Sequence, residues 1–97
     1  MIQSFRKTGT EDIFNGKNSS IARKTCPQSL WTIAFRKLDQ LDSAASLTDL
    51  QAPPGNRLEA LKGERSGQFS IRINDRYRIC FIWTVHGPDQ VEIVDYH

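Results

Sequence analysis

The chain of 97 residues predicts an α+β domain. Two patterns point to it. Before Pro53, apolar residues recur at spacings of three and four; after Asn56, they recur at a spacing of two. Helical and strand patterns that segregate into successive halves are the mark of the α+β class. Length adds a bound: a chain this short holds one domain, residues 1–97, and buries only roughly 60–65% of its unfolded surface.

The elements follow in order. Ile2 to Phe5 reads as a short strand, and Thr10 as the N-cap of a short helix, with Glu11 and Asp12 placed favourably against its dipole. Residues 15–28 are poor in apolar side chains and contain Asn15-Gly16, Asn18-Ser19-Ser20 and Pro27. We therefore expect flexibility within 8–28. From Ser29 the pattern turns helical. Leu30, Ala34, Leu38, Leu41 and Ala45 form a stripe that Trp31 and Phe35 widen, predicting a helix of about 15 residues. Ser46 to Leu50 suggests one further turn, and Pro53-Pro54-Gly55-Asn56 is a firm break. Arg57 to Leu61 reads as a strand, and Gly63 and Gly67 bracket a turn. Phe69 to Asn74 and Tyr77 to Trp83 alternate cleanly. His86-Gly87-Pro88-Asp89 reads as a turn, and Val91 to Tyr96 as the last strand.

The hairpin around Asn74-Asp75-Arg76 has a determinable register. A two-residue loop would set Ile73 against Arg76 and mix core with solvent positions. A three-residue loop sets Ile73 against Tyr77, Ile71 against Ile79 and Phe69 against Phe81. That register also sets Arg72 directly against Arg78 on the other face, a repulsion of up to roughly 1 kcal/mol. Two arginines splayed into water would explain the pair, and so would a face that holds an anion, because guanidinium forks suit phosphate. Lys62 and Arg65, in the preceding turn, favour the phosphate site.

Charge is patterned as well. The net charge of +2 conceals +3 over residues 1–24, −1 over 25–56, +3 over 57–78 and −3 over 79–97. The acidic end closes with Asp95-Tyr96-His97, three side-chain types able to transfer protons. A frayed end without a role is the competing explanation. His86 is expected in solvent, and Trp31 and Trp83 in the core. Cys80 is expected on the second side of its strand as a small apolar residue.

Several classes are excluded. No run approaches 18 apolar residues, so no membrane span is expected. The opening Met1 to Arg6 has no apolar h-region, so no signal peptide is expected and the cytoplasm is the expected compartment. Cys26 and Cys80 are expected to stay reduced. With two cysteines and two histidines at long spacings, no metal is expected. No glycine-rich phosphate loop is present, so no cofactor is expected.

The run from Pro53 to Gln68, with its Leu61-Lys62-Gly63-Glu64-Arg65-Ser66-Gly67 block, leads straight into Phe69 to Asp75. Arg78 to Trp83 follows, and then Val91 to His97. These segments resemble the HigB toxins, also called plasmid-maintenance killer proteins, of the RelE/ParE superfamily. The opening Met1 to Phe5 fits the same pattern. The likeness is close over 53–97 and looser before it.

The resemblance implies two main helices packed on a small, largely antiparallel four-stranded sheet, the RelE-like fold. It implies a type II toxin paired with a HigA-like helix-turn-helix antitoxin. Such a toxin would enter the 70S ribosome and cut mRNA in the A site without a metal, by attack of a 2′-hydroxyl on the adjacent phosphate. By motif, Asp95, Tyr96 and His97 would take proton-transfer and base-stacking roles, with Arg78 at the phosphate. Lys62, Arg65 and Arg72 would hold flanking RNA, and Arg57 and Arg76 would be peripheral RNA contacts or merely solvated. Glu59 stands where some relatives carry a histidine, and a second lysine near Lys62 is absent. Those departures keep two alternatives open: a ParE-like toxin acting on DNA gyrase or another target without cutting RNA, and a basic binding module without enzymatic activity.

Overall fold

The computed structural model describes residues 1–96. Three α-helices occupy the first half: α1 (Thr8–Phe14), α2 (Ser20–Thr25) and α3 (Trp31–Ser43). Four strands occupy the second: β1 (Glu59–Ala60), β2 (Phe69–Arg72), β3 (Tyr77–Thr84) and β4 (Gly87–Asp95). They form one antiparallel sheet in the order β1-β2-β3-β4. The architecture is α+β.

The apolar stripe decides how α3 packs. Ala34, Leu38 and Leu41 are fully buried and meet Ile71, Ile79, Phe81 and Val91 from one face of the sheet. Helix α3 has 13 residues, preceded by a 3-10 turn over Gln28–Leu30. Ala45 lies past its end and is exposed, and Phe35 is 45% exposed rather than core. Trp31 and Trp83 are half-buried against the core. The turn expected after Ser46 is a 3-10 turn over Leu47–Gln51, fixed by a capping box in which Asp49 accepts from the Ser46 backbone N–H. Backbone N–H bonds from Ala45 and then Ser46 hold the Asp49 carboxyl below the usual carboxylate range.

Helix α1 begins at Thr8, earlier than expected, with Lys7 as its N-cap. Thr10 does not cap it. Its hydroxyl is buried and accepts from the Ile93 backbone N–H at 3.0 Å, which ties α1 to β4. Over 15–28, Ser19 caps α2, accepting from the Ala22 N–H at 3.1 Å and donating to Asp12 at 2.6 Å. Ala22 and Cys26 are buried in the core.

The chain's first residues make a lone parallel bridge, Phe5 to Val91, in place of a strand over Ile2 to Phe5. The strand expected from Arg57 to Leu61 is shortened to Glu59–Ala60, because Arg57 adopts a left-handed backbone (φ 46°) that breaks extension. The last turn is two residues, Val85 and His86, and β4 starts at Gly87. Gly87 has φ 125°, and Pro88 is tolerated on an edge strand where its missing N–H costs little. A bulge near Gln90 (φ 54°) then resets the alternation, so β4 runs well before Val91. His86 is exposed. No helix among the described residues is long and apolar enough to cross a membrane.

Helices α1 and α2 cross closely at Gly9. A Cβ there would run into Thr25 Oγ1 and come within 2.9 Å of the Ile21 carbonyl oxygen. Helix propensity alone favours Ala over Gly by about 1 kcal/mol. The crossing reverses the sign: Gly9→Ala is expected to destabilise the protein by about 1–3 kcal/mol, read as a lower midpoint of urea unfolding.

Candidate functional site

Strand alternation gives the sheet a second face, away from the helices. Ser70 and Arg72 of β2, Arg78 and Cys80 of β3, and Glu92 and Val94 of β4 lie on it. Glu59 of β1 pairs with Ser70 and joins the same row. The register is the one that the apolar residues demand: Phe69 opposes Phe81, Ile71 opposes Ile79, and Arg72 opposes Arg78. The Ile73 N–H closes the three-residue loop on the Tyr77 carbonyl at 2.9 Å.

Two like charges are thus forced side by side, and local partners draw them apart. Arg72 turns toward the hairpin and pairs with the exposed Asp75. Arg78 turns toward β1. Its Nε donates to Ser70 Oγ at 2.7 Å and its Nη2 to the Arg57 carbonyl at 2.7 Å. The Arg78 guanidinium carbon also lies 5.8 Å from the ring centroid of Tyr96, a cation–π distance. Tyr96 is 43% exposed and held by its N–H on the Arg76 carbonyl at 2.6 Å. Together they present a cation with fixed direction beside an accessible aromatic ring, a pairing suited to a phosphate next to a base.

The other expected residues fall around this centre. Arg65 ion-pairs with Glu92 at 3.3 Å, and Arg6 approaches the same carboxylate at 3.6 Å. Glu92 is buried, so it lies beneath the arginines rather than in a separate acidic patch. Arg6, Lys7, Glu64, Arg65, Gln68 and Glu92 line a cleft of about 290 Å³ there. Lys62 is exposed at the start of the turn that carries Arg65. Arg57 is exposed, and what it brings to the centre is its carbonyl. That geometry needs a non-glycine residue in the left-handed region, at a cost on the order of 1 kcal/mol.

Asp95 stands apart from Arg78. It pairs across the strands with Tyr77, on the alternation opposite to Arg78. Its carboxylate takes a fork from Arg76, at 3.0 and 2.8 Å, which holds the Arg76 guanidinium still more firmly charged. Arg76 also covers the buried ring of Tyr77, 5.5 Å from its centroid. His97 lies outside the described residues. Glu59 is exposed on the shared face.

Ser70, Glu92 and Arg6 did not stand out in the sequence. For Ser70 a signal existed: in the chosen register it is a diagonal neighbour of Arg78 on the same face. Among the described residues, no group of three His, Cys, Asp or Glu side chains comes together to hold a metal.

Residues 3–97 match the family described as "RelE-like toxin of type II toxin-antitoxin system HigB". Toxin HigB-1 of Vibrio cholerae serotype O1 is 49% identical over 57 residues, 59% of this chain and 60% of that protein. An uncharacterized protein of Haemophilus influenzae is 36% identical over 55 residues, 57% of this chain and 54% of that protein. The chain thus spans between half and two thirds of the length of these curated relatives.

Both cysteines are free and buried. Cys80 lies under the arginine face, where burial raises its pKa, Arg65 and Arg78 oppose the rise, and Glu92 and Glu59 add to it. Burial pushes the Cys26 thiol up to about 11. The folded protein therefore keeps the Cys26 proton to a higher pH than the unfolded chain. That contribution to stability is intact below about pH 9 and is lost as the pH rises toward 11. Urea unfolding should show stability falling across this window, and less steeply in Cys26→Ala. At pH 8 both thiols should resist iodoacetamide until the protein is unfolded.

Proposed function

This chain belongs to the HigB-like toxin family of type II toxin–antitoxin systems, within the RelE-like group, and from that premise we propose that it is a ribosome-dependent mRNA endonuclease. The observation that carries the proposal is the Arg78 guanidinium, fixed by two hydrogen bonds beside the exposed Tyr96 ring on the open sheet face.

The reaction is transesterification. The 2′-hydroxyl of an A-site nucleotide loses its proton and attacks the adjacent phosphorus. The bond to the 5′ oxygen breaks, and that oxygen takes up a proton. A 2′,3′-cyclic phosphate and a 5′-hydroxyl result. Charge builds on the non-bridging oxygens as the fifth bond forms, and Arg78 is assigned to them. A preorganised cation at such a site is typically worth about 10²–10³-fold. Tyr96 is assigned to stacking on a base and His97 to proton transfer. Glu59, exposed on the same face, is assigned to accepting the 2′ proton, where relatives with a histidine would differ. Arg72, Arg65 and Lys62 are assigned to flanking phosphates, and Arg57 and Arg76 to peripheral RNA. Asp95, engaged by Arg76, is assigned to holding the end of β4 so that Tyr96 sits beside Arg78.

Cellular partners follow from the same proposal. The antitoxin is taken to be HigA-like, with a helix-turn-helix domain, and the site of action to be the 70S ribosome in the cytoplasm.

The test is to add purified protein to ribosomes translating a model mRNA and to map new 5′ ends. Ends within A-site codons are expected. Arg78→Ala should lower the cleavage rate by about 10²–10³-fold, and His97→Ala should relieve growth arrest. Growth arrest with intact mRNA would overturn the assignment and redirect attention to a gyrase-type target.

A further inference from the structure

The direction of Arg78 is set by groups to which no role has been attached. Ser70 is completely buried, and its hydroxyl oxygen faces Arg78 Nε. The second acceptor is a backbone carbonyl, and it is aimed by the left-handed turn at Arg57. That turn has an anchor of its own. Asn56, also fully buried, donates through Nδ2 to the carbonyls of Leu50 at 3.1 Å and Ala52 at 3.2 Å, and to Gln40 Oε1 at 3.1 Å. Its Oδ1 accepts from Lys37 Nζ of α3. Every polar atom of the Asn56 side chain is thus spent on locking the segment that ends in the Arg57 carbonyl.

We propose that Ser70 and the Asn56–Arg57 turn form a socket that fixes the orientation of Arg78, with Ser70 as a positioning residue for the phosphate-binding guanidinium. The inference deepens the endonuclease proposal and rests on it for its consequence in catalysis. The socket itself stands on the geometry alone. An arginine side chain has four rotatable bonds, and an unanchored guanidinium opposite Arg72 would swing away from it. Ser70 Oγ takes the Nε proton, and Nη2 donates to the Arg57 carbonyl at 2.7 Å and more weakly to the Ser70 carbonyl at 3.5 Å, which leaves the Nη1 edge for an incoming anion. Because the socket is occupied before substrate arrives, the guanidinium needs no reorganisation as charge develops on the phosphate. The bland alternative is that Ser70 merely satisfies a buried arginine stem and that its loss is felt only in stability.

Two measurements separate these. The first needs no activity: the Arg78 Nε–H resonance in the free protein is expected to be slow to exchange with solvent, to become fast in Ser70→Ala, and to stay slow in Ser70→Thr, which keeps the hydroxyl. The second is cleavage on programmed ribosomes. Assayed well below its Tm, Ser70→Ala is expected to lower kcat about ten- to hundred-fold with KM near wild type, and Ser70→Thr to restore it. In an Arg78→Ala background, Ser70→Ala should cost nothing more. An Arg78 Nε–H signal equally protected in Ser70→Ala overturns the socket. Full cleavage by Ser70→Ala, alongside an inactive Arg78→Ala, overturns its catalytic role. If the wild-type protein cuts no mRNA, the endonuclease assignment fails and the exchange measurement still decides the socket.

Discussion

The register between β2 and β3 is the constraint on which the rest depends. It is chosen on the helix side, where Phe69 must meet Phe81 and Ile71 must meet Ile79 to cover Ala34, Leu38 and Leu41. A slip of one residue would turn the whole apolar set toward water. Once the core is satisfied, nothing on the outer face can choose its own neighbours. Arg72 is placed opposite Arg78 whether or not the pairing is comfortable. The core thus dictates a like-charge contact, and the surroundings must relieve it.

The relief is what makes the face specific. Arg72 is drawn off by Asp75, and Arg78 by Ser70 and the Arg57 carbonyl. The third arginine near the centre, Arg65, is drawn down by the buried Glu92, which Arg6 also approaches. Each cation loses freedom of direction. The Arg72–Asp75 pair, with its carboxylate in solvent, adds little to stability. The effect of these contacts is orientation: a set of guanidinium groups that would otherwise repel and splay becomes a surface with fixed donors. The same logic assigns Asp95 to Arg76 at the far side of β4, where it steadies the residues leading to Tyr96.

Periodicity carried most of the fold into view. The stripe of α3 and the alternation of β2 and β3 are long and regular, and the hairpin register follows from matching apolar faces. What stayed hidden was local. The start of β4 was obscured because Gly87-Pro88 usually signals a turn, and the bulge at Gln90 leaves no mark in the pattern. β1 shrank because Arg57 takes a conformation ordinarily left to glycine, which side-chain chemistry does not announce. At the site, the long cations were legible from charge and from the family motif. Ser70 was on the right face but is too common a residue to stand out. The Arg57 carbonyl belongs to the backbone, which sequence reading passes over. Asp95 was legible as a motif member, yet strand alternation turns it away from Arg78, toward Arg76.

The central claim is that the open sheet face, with Arg78 and Tyr96 at its centre, is the surface that meets RNA. The most direct measurement is a cryo-electron-microscopy map of the protein on a ribosome whose A-site codon carries 2′-deoxyribose, so that cleavage cannot proceed. The account predicts the scissile phosphate against the outer edge of the Arg78 guanidinium and a base of the codon on the Tyr96 ring. A map in which α3 faces the mRNA, with Arg78 turned away from the codon, would contradict it.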